Sequence, residues 1–140
     1  MSFQPDPDRI VWRVHIDAPP EVVYDTLATD AGRATFWAES AVERDGVIRF
    51  VFPDGSETSA RILHAERPRE LAIEYFGTRV TFHLTGATDV TLIDERTEER
   101  EEVIAGWVSV LMQLKAAVQF GVDLRNHSRE RSWERGYVEN

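Results

Sequence analysis

Residues 101–119 read EEVIAGWVSVLMQLKAAVQ, and their spacing decides the fold. Val103, Trp107, Val110, Leu111, Leu114 and Val118 recur at i, i+4, i+7, i+8, i+11 and i+15, which is one apolar face of an α-helix. Gln113, Ala116 and Gln119 fall on or near the other side. Residues 42–95 before it read as short alternating strands, so a single long helix has a whole antiparallel sheet to cover. A curved sheet wrapped on one helix leaves space between them, and small apolar molecules bind in such spaces.

Further towards the N-terminus, residues 9–17 alternate, with Ile10, Trp12, Val14 and Ile16 on the face to be buried. Pro19-Pro20-Glu21 then opens a helix, because a proline in the first turn lacks only an N–H that would be unpaired there anyway. Val22, Val23 and Leu27 give that helix its inner side, residues 29–32 break it, and residues 33–38 form a second, short helix ending in Phe36-Trp37. Strands are expected over 41–43, 47–52, 57–65, 71–76, 78–84 and 88–95. Turn signals separate them: Asp45-Gly46, Pro53-Asp54-Gly55, the corner at 67–70, Gly77 and Thr85-Gly86-Ala87. Short links make neighbours antiparallel. The expected fold is therefore α+β, in the order βαα, β-meander, long α, with six or seven strands curved around the last helix. It occupies one domain over 1–140, with its core at about 9–121 and a tail over 122–140. The tail is too polar to fold alone, but Trp133, Tyr137 and Val138 should bring it back onto the body.

Composition narrows the function classes. A chain of 140 residues, 42% hydrophobic and 29% charged, suits one soluble globular unit. No uninterrupted apolar run approaches the ~18 residues of a membrane span, so no membrane partner is expected. Residues 1–8 lack the basic and apolar regions of a secretory signal. With no cysteine there are no disulfides or thiolate metal sites, which fits a cytoplasmic location. The net charge of −9 repels nucleic acid and anionic lipid, and no basic stripe offsets it.

Reaction chemistry is hard to place. His15, His64, His83 and His127 share no metal-ligand spacing, so no metal is expected. His15 and His83 belong to exposed strand faces, while weak alternation leaves His64 unplaced. No nucleophile elbow and no nucleotide-binding glycine motif occurs, so no cofactor is expected. What stands out is an aromatic inner surface. Ile48, Phe50 and Phe52 share a strand face, as do Leu71, Ile73 and Tyr75, then Val80, Phe82 and Leu84, then Val90 and Leu92. Trp37 and Trp107 join from the helices. Tyr75 matters because a buried phenol wants a partner. Asp94 has the parity of Val90 and Leu92: it points inward at a cavity mouth, or it is solvated if the strand stops at Ile93. The candidate ligand-binding residues are Trp37, Phe50, Phe52, Tyr75, Phe82, Leu92, Asp94, Trp107 and Leu111.

The order of these elements resembles the START-like (SRPBCC) helix-grip superfamily, the fold of the major birch pollen allergen and of polyketide cyclases. More narrowly it resembles the branch related to the activator of heat-shock protein ATPase. Ile16-Asp17-Ala18-Pro19-Pro20-Glu21-Val22-Val23-Tyr24 is similar to the family's strand-to-helix opening, with Tyr24 where tryptophan is common. Trp37 resembles the tryptophan closing the second helix. Asp54-Gly55, Arg67-Pro68-Arg69-Glu70-Leu71 and Gly106-Trp107 resemble the turn, the corner and the start of the grip helix. Asp94 stands where the family often has a histidine, and the tail extends past the usual end.

The resemblance implies binding of a small hydrophobic molecule, such as a lipid, polyketide or aromatic metabolite, between sheet and helix. The alternative is a polyketide cyclase or dehydratase, for which Asp94, Tyr75 and His64 are the acid–base candidates. A second alternative is a co-chaperone or protein-interaction domain. Known activators of that type carry a further N-terminal domain, and only eight residues precede the first strand here. An enediyne-resistance protein also resembles this branch, so self-protection in an antibiotic producer is a related reading. Fold alone licenses no reaction, and the reading favours a binding protein over an enzyme. Homodimerisation is left open.

Overall fold

The computed structural model describes residues 2–140. Seven strands form one antiparallel sheet: β1 (Ile10–His15), β2 (Ser40–Arg44), β3 (Val47–Val51), β4 (Glu57–Glu66), β5 (Glu70–Tyr75), β6 (Thr78–Thr85) and β7 (Asp89–Asp94). Their order is β1-β7-β6-β5-β4-β3-β2, a meander whose last strand pairs back onto the first. Two helices, α1 (Pro20–Ala28) and α2 (Asp30–Ala34), link β1 to β2, and the long α3 (Arg100–Phe120) follows β7.

Register puts the apolar set on one face. Partners directly opposite in an antiparallel pair share a face. Trp12 faces Leu92, which faces Phe82, which faces Leu71; Ile10 faces Asp94, which faces Val80, which faces Ile73. Asp94 therefore points inward beside Val90 and Leu92, all of them buried. Beyond β5 a register shift in β4 between Ile62 and His64 breaks the period of two. That bulge explains the weak alternation around His64, whose side chain is exposed and 3.5 Å from Glu66.

Local chemistry departs from the sequence expectation in three places. The first helix breaks as expected, but at Thr29 alone, which is extended; residues 30–32 already belong to α2, and the Thr29 side chain caps it by accepting the Gly32 N–H at 3.1 Å. Residues 33–38 are correspondingly not a helix; α2 ends at Ala34 and Phe36-Trp37 lie in the turn after it. Gly32 is required at this join, because a Cβ there would meet the Thr26 backbone oxygen at 2.4 Å. In α1 the inner residues are Val23, Tyr24 and Leu27, while Val22 is exposed, so the buried side is rotated by one residue.

The third departure concerns α3. Trp107, Leu111 and Leu114 are buried as their spacing predicts, but so are Gln113 and Ala116, expected on the far side. The helix runs closest to β1 and α1, and the Trp12 indole donates to Ile104 O at 3.2 Å. One flank is thus covered, while the flank towards β3–β5 stands off the sheet and meets it through Trp107, 5.6 Å from Tyr75. By length and composition α3 is apolar enough to cross a bilayer; here Trp107, Leu111 and Leu114 pack in the core while Val108, Met112 and Phe120 are exposed.

Candidate functional site

Where α3 leaves the sheet uncovered, a cavity of about 550 Å³ opens, within the range of small-molecule sites. Its apolar wall is a group of touching rings. Trp37 lies 4.9 Å from Phe50, 5.5 Å from Tyr75 and 6.1 Å from Trp107, centroid to centroid. Phe76 stacks on Phe52 at the end of the β5–β6 hairpin. Edge-to-face and offset geometries at these distances are the favourable ones for aromatic pairs.

Five of the residues expected from sequence reach the cavity: Trp37, Phe52, Tyr75, Asp94 and Trp107. The others, Phe50, Phe82, Leu92 and Leu111, are buried behind that wall as core and do not line the space. Residues the sequence reading passed over complete the lining. One is the flank of α3 carrying Glu102, Gly106, Ser109 and Gln113. Their i, i+4, i+7, i+11 spacing was a legible second stripe, small and polar, beside the apolar seam. The turn Pro53–Glu57, Phe76 and Arg96 supply another side.

The last side is the tail. Trp133, Glu134, Val138 and Asn140 all line the cavity. The Trp133 indole donates to Glu102 Oε1 at 2.6 Å. Arg125 is buried and donates to Ala38 O at 2.8 Å and Ala34 O at 2.7 Å, so the tail is tied to the α2 end. His127 sits between two carboxylates, Nδ1 2.5 Å from Glu39 and Nε2 2.6 Å from Asp123. Only an imidazolium can donate from both nitrogens. The Glu39 and then the Asp123 hydrogen bonds accordingly raise the His127 pKa above its ordinary 6.5. Burial works against Asp123, but bonds from Arg125 and His127 outweigh it and hold its carboxyl down at about 2.

These shifts give the tail a pH profile. His127 contributes fully below its unfolded 6.5, and the contribution is lost as pH rises through its elevated folded value. Asp123 contributes above its unfolded 3.8 and loses that as pH falls through about 2. Docking of residues 122–140 should therefore be firmest between 3.8 and 6.5. Hydrogen exchange, corrected for intrinsic rates, should show their amide protection falling on the alkaline side, and His127→Gln should flatten that limb. Equal protection across the range in the unaltered protein would show that the histidine does not hold the tail.

The polar groups inside the cavity have distinct states. Asp94 accepts from Trp107 Nε1 at 2.9 Å, from Thr78 Oγ1 at 2.7 Å and from Arg96 N at 3.1 Å. It orients Trp107 at the wall and has little capacity left for another partner. The Tyr75 hydroxyl accepts from Trp37 Nε1 at 3.3 Å, and burial pushes its pKa far above the usual phenol range. It keeps its proton at neutral pH and can act as a donor. His64 is exposed and does not line the cavity, so of the three acid–base candidates only Asp94 and Tyr75 are there.

No family model matches the chain, and neither does any curated protein. Solved structures do. The Aha1 dimer from Colwellia psychrerythraea is similar at 22% identity and a TM-score of 0.72, over 81% of this chain and 97% of that one. An AHSA1-like protein from Aeromonas hydrophila gives 18% and 0.71, over 81% and 93%. DynU16, a putative protein in the dynemicin biosynthetic locus, gives 22% and 0.68 over 84% of this chain and 49% of its own, about half that protein. At these identities the likeness establishes the fold. The chain has the START-like helix-grip architecture, and Aha1-like proteins stand among its structural neighbours.

Proposed function

We propose that this chain binds a small hydrophobic molecule, of the character of a lipid, polyketide or aromatic metabolite, in the cavity between the sheet and α3. The observation that carries the reading is the cavity itself, about 550 Å³ beside the Trp37, Tyr75 and Trp107 rings. A cleft of this size, walled by aromatic rings and carrying a few convergent polar groups, has the character of a small-molecule site. Binding is favoured over a cyclase-like reaction because Asp94 accepts three bonds from its own neighbours and Tyr75 holds its proton. DynU16, from a biosynthetic locus, is a neighbour in keeping with a metabolite ligand. The dimeric Aha1 neighbour supports homodimerisation as part of the same proposal, as does the cysteine-free composition for a cytoplasmic setting.

The test uses N-phenylnaphthylamine, a neutral fluorescent probe. It should bind, brighten and quench tryptophan emission, chiefly from Trp37 and Trp107. Val110→Trp places a large ring in the cavity from α3 and should abolish binding with the circular dichroism spectrum unchanged. If the unaltered protein leaves the probe dark, or the filled variant binds it equally well, the cavity is not the binding site.

A further inference from the structure

The cavity wall carries hydrogen-bonding capacity that the protein itself leaves unused. Gln113 is 5% exposed and sits on the α3 flank that faces the cavity. Its Nε2 donates to Phe36 O at 2.7 Å. That bond fixes which way round the amide stands, since the flipped form would set one oxygen against another. Gln113 Oε1 is then buried without a partner. Native structures rarely leave such an atom unsatisfied, and a ligand is one of the things that satisfies it.

The Tyr75 hydroxyl is the complementary group. It accepts from Trp37 Nε1, and among the described residues its own proton has no acceptor. Gln113 is bonded to Phe36 and Tyr75 to Trp37, so an unused acceptor and an unused donor are held by two adjacent residues of one turn. Arg96 adds an unpartnered Nε to the donors on the wall. Charge supplies a second constraint. Asp54, Glu57, Asp94, Glu99, Glu102 and Glu134 line the cavity with Arg96, and although Arg49 pairs with Glu57 and Arg129 lies near Asp54, acids remain in excess. A cleft with that excess has a negative potential and disfavours an anionic occupant.

We infer that the cavity is built for a neutral or cationic molecule that offers a hydrogen-bond acceptor to the Tyr75 hydroxyl and a donor to Gln113 Oε1. Hydroxylated aromatic ketones and quinones have that chemistry; a fatty-acid carboxylate does not. This rests on the cavity-binding reading and adds its polar half.

Four probes separate the two. Anthracene, methyl-anthraquinone, hydroxymethyl-anthraquinone and anthraquinone carboxylate share one flat skeleton, and each is followed by quenching of tryptophan emission. Methyl-anthraquinone should bind about three- to tenfold tighter than anthracene through the Tyr75 hydroxyl, and hydroxymethyl-anthraquinone tighter again by a similar factor through Gln113, the scale of one net hydrogen bond each. The carboxylate should bind weakest, and added salt should narrow its deficit. Tyr75→Phe should remove the first step and Gln113→Met the second. Because each ratio is taken within one variant, a general loosening of the fold cancels. If no probe binds at all, cavity binding itself fails. If anthracene binds but the carbonyl and hydroxyl add nothing, if the variants leave the ratios unchanged, or if the carboxylate binds tightest, the cavity is apolar only or anion-selective and this inference is overturned.

Discussion

Trp107→Ala should lower the free energy of unfolding by about 3–5 kcal/mol, the range for removing a large buried aromatic. Trp107 is 3% exposed and meets Tyr75 at 5.6 Å and Phe82 at 6.0 Å, so its loss strips one side from each ring. A second cost comes from charge. The indole N–H is the partner of Asp94 Oδ2, and without it a buried carboxylate oxygen loses its donor. Trp107→Phe keeps a six-membered ring and removes the pyrrole half with its N–H, so it takes away the donor to Asp94 while leaving a smaller gap than alanine. Its cost should be about 1–3 kcal/mol, the scale of leaving a buried polar group unsatisfied. For a domain whose whole stability is of order 5–15 kcal/mol, the alanine variant should be visibly less stable in a denaturant titration. An unchanged midpoint for Trp107→Ala would remove this residue from the core, and equal losses for both variants would mean that the pyrrole half with its N–H accounts for everything.

The same tryptophan shows why the fold was legible and the site only partly so. A fold follows from periodicity, and periodicity is strong here. The strand alternation in Leu71-Ile73-Tyr75 and Val80-Phe82-Leu84 matches the register found, and the spacing of Trp107, Leu111 and Leu114 marks the buried seam. Parity alone also put Asp94 on the inner face, although only its pairing with Ile10 and Val80 decides that the strand runs that far. The cavity depends instead on what the helix fails to cover, and a helical pattern read as one seam cannot give its sideways placement. By spacing Gln113 falls on or near the side away from the apolar stripe; in the structure it is buried there, with the Phe36 carbonyl accepting its amide N–H. For the tail, Trp133, Tyr137 and Val138 indicate a return to the body, and Trp133 and Val138 do line the cavity, but where the tail docks was not legible. Its docking rests on single long-range bonds, Arg125 to Ala38 and Trp133 to Glu102, and such bonds leave no period in the sequence.

Arg33 is the clearest case of a residue whose role pattern cannot show, and Arg33→Ala should cost about 3–5 kcal/mol, from two carbonyls that lose their donor and from the space the buried side chain leaves. An arginine in a short polar stretch reads as surface, yet this one is 1% exposed. It joins three places at once. Nε donates to Ala41 O at 3.0 Å in β2, Nη1 to Leu27 O at 3.3 Å in α1, and Nη2 to Asp30 Oδ1 at 2.6 Å at the start of α2. Burial pulls its pKa down while Asp30 and Glu43 resist, so the charge is held by its partners. The same Asp30 oxygen accepts the Glu43 N–H at 2.9 Å, which ties α2 to the start of the meander. The turn bearing Phe36 and Trp37 follows immediately, so the aromatic wall hangs from this network. Arg33→Met, which keeps the stem and fills the space, should recover part of the loss and still be less stable than the unaltered protein, because Ala41 O and Leu27 O lose their donor. Thermal unfolding of both variants, with cavity occupancy followed by N-phenylnaphthylamine, checks the two links together. Arg33→Met should weaken probe binding through the displaced Trp37. A methionine variant as stable as the parent, binding the probe equally well, would show that side-chain volume at this position, and not the guanidinium, sets the wall.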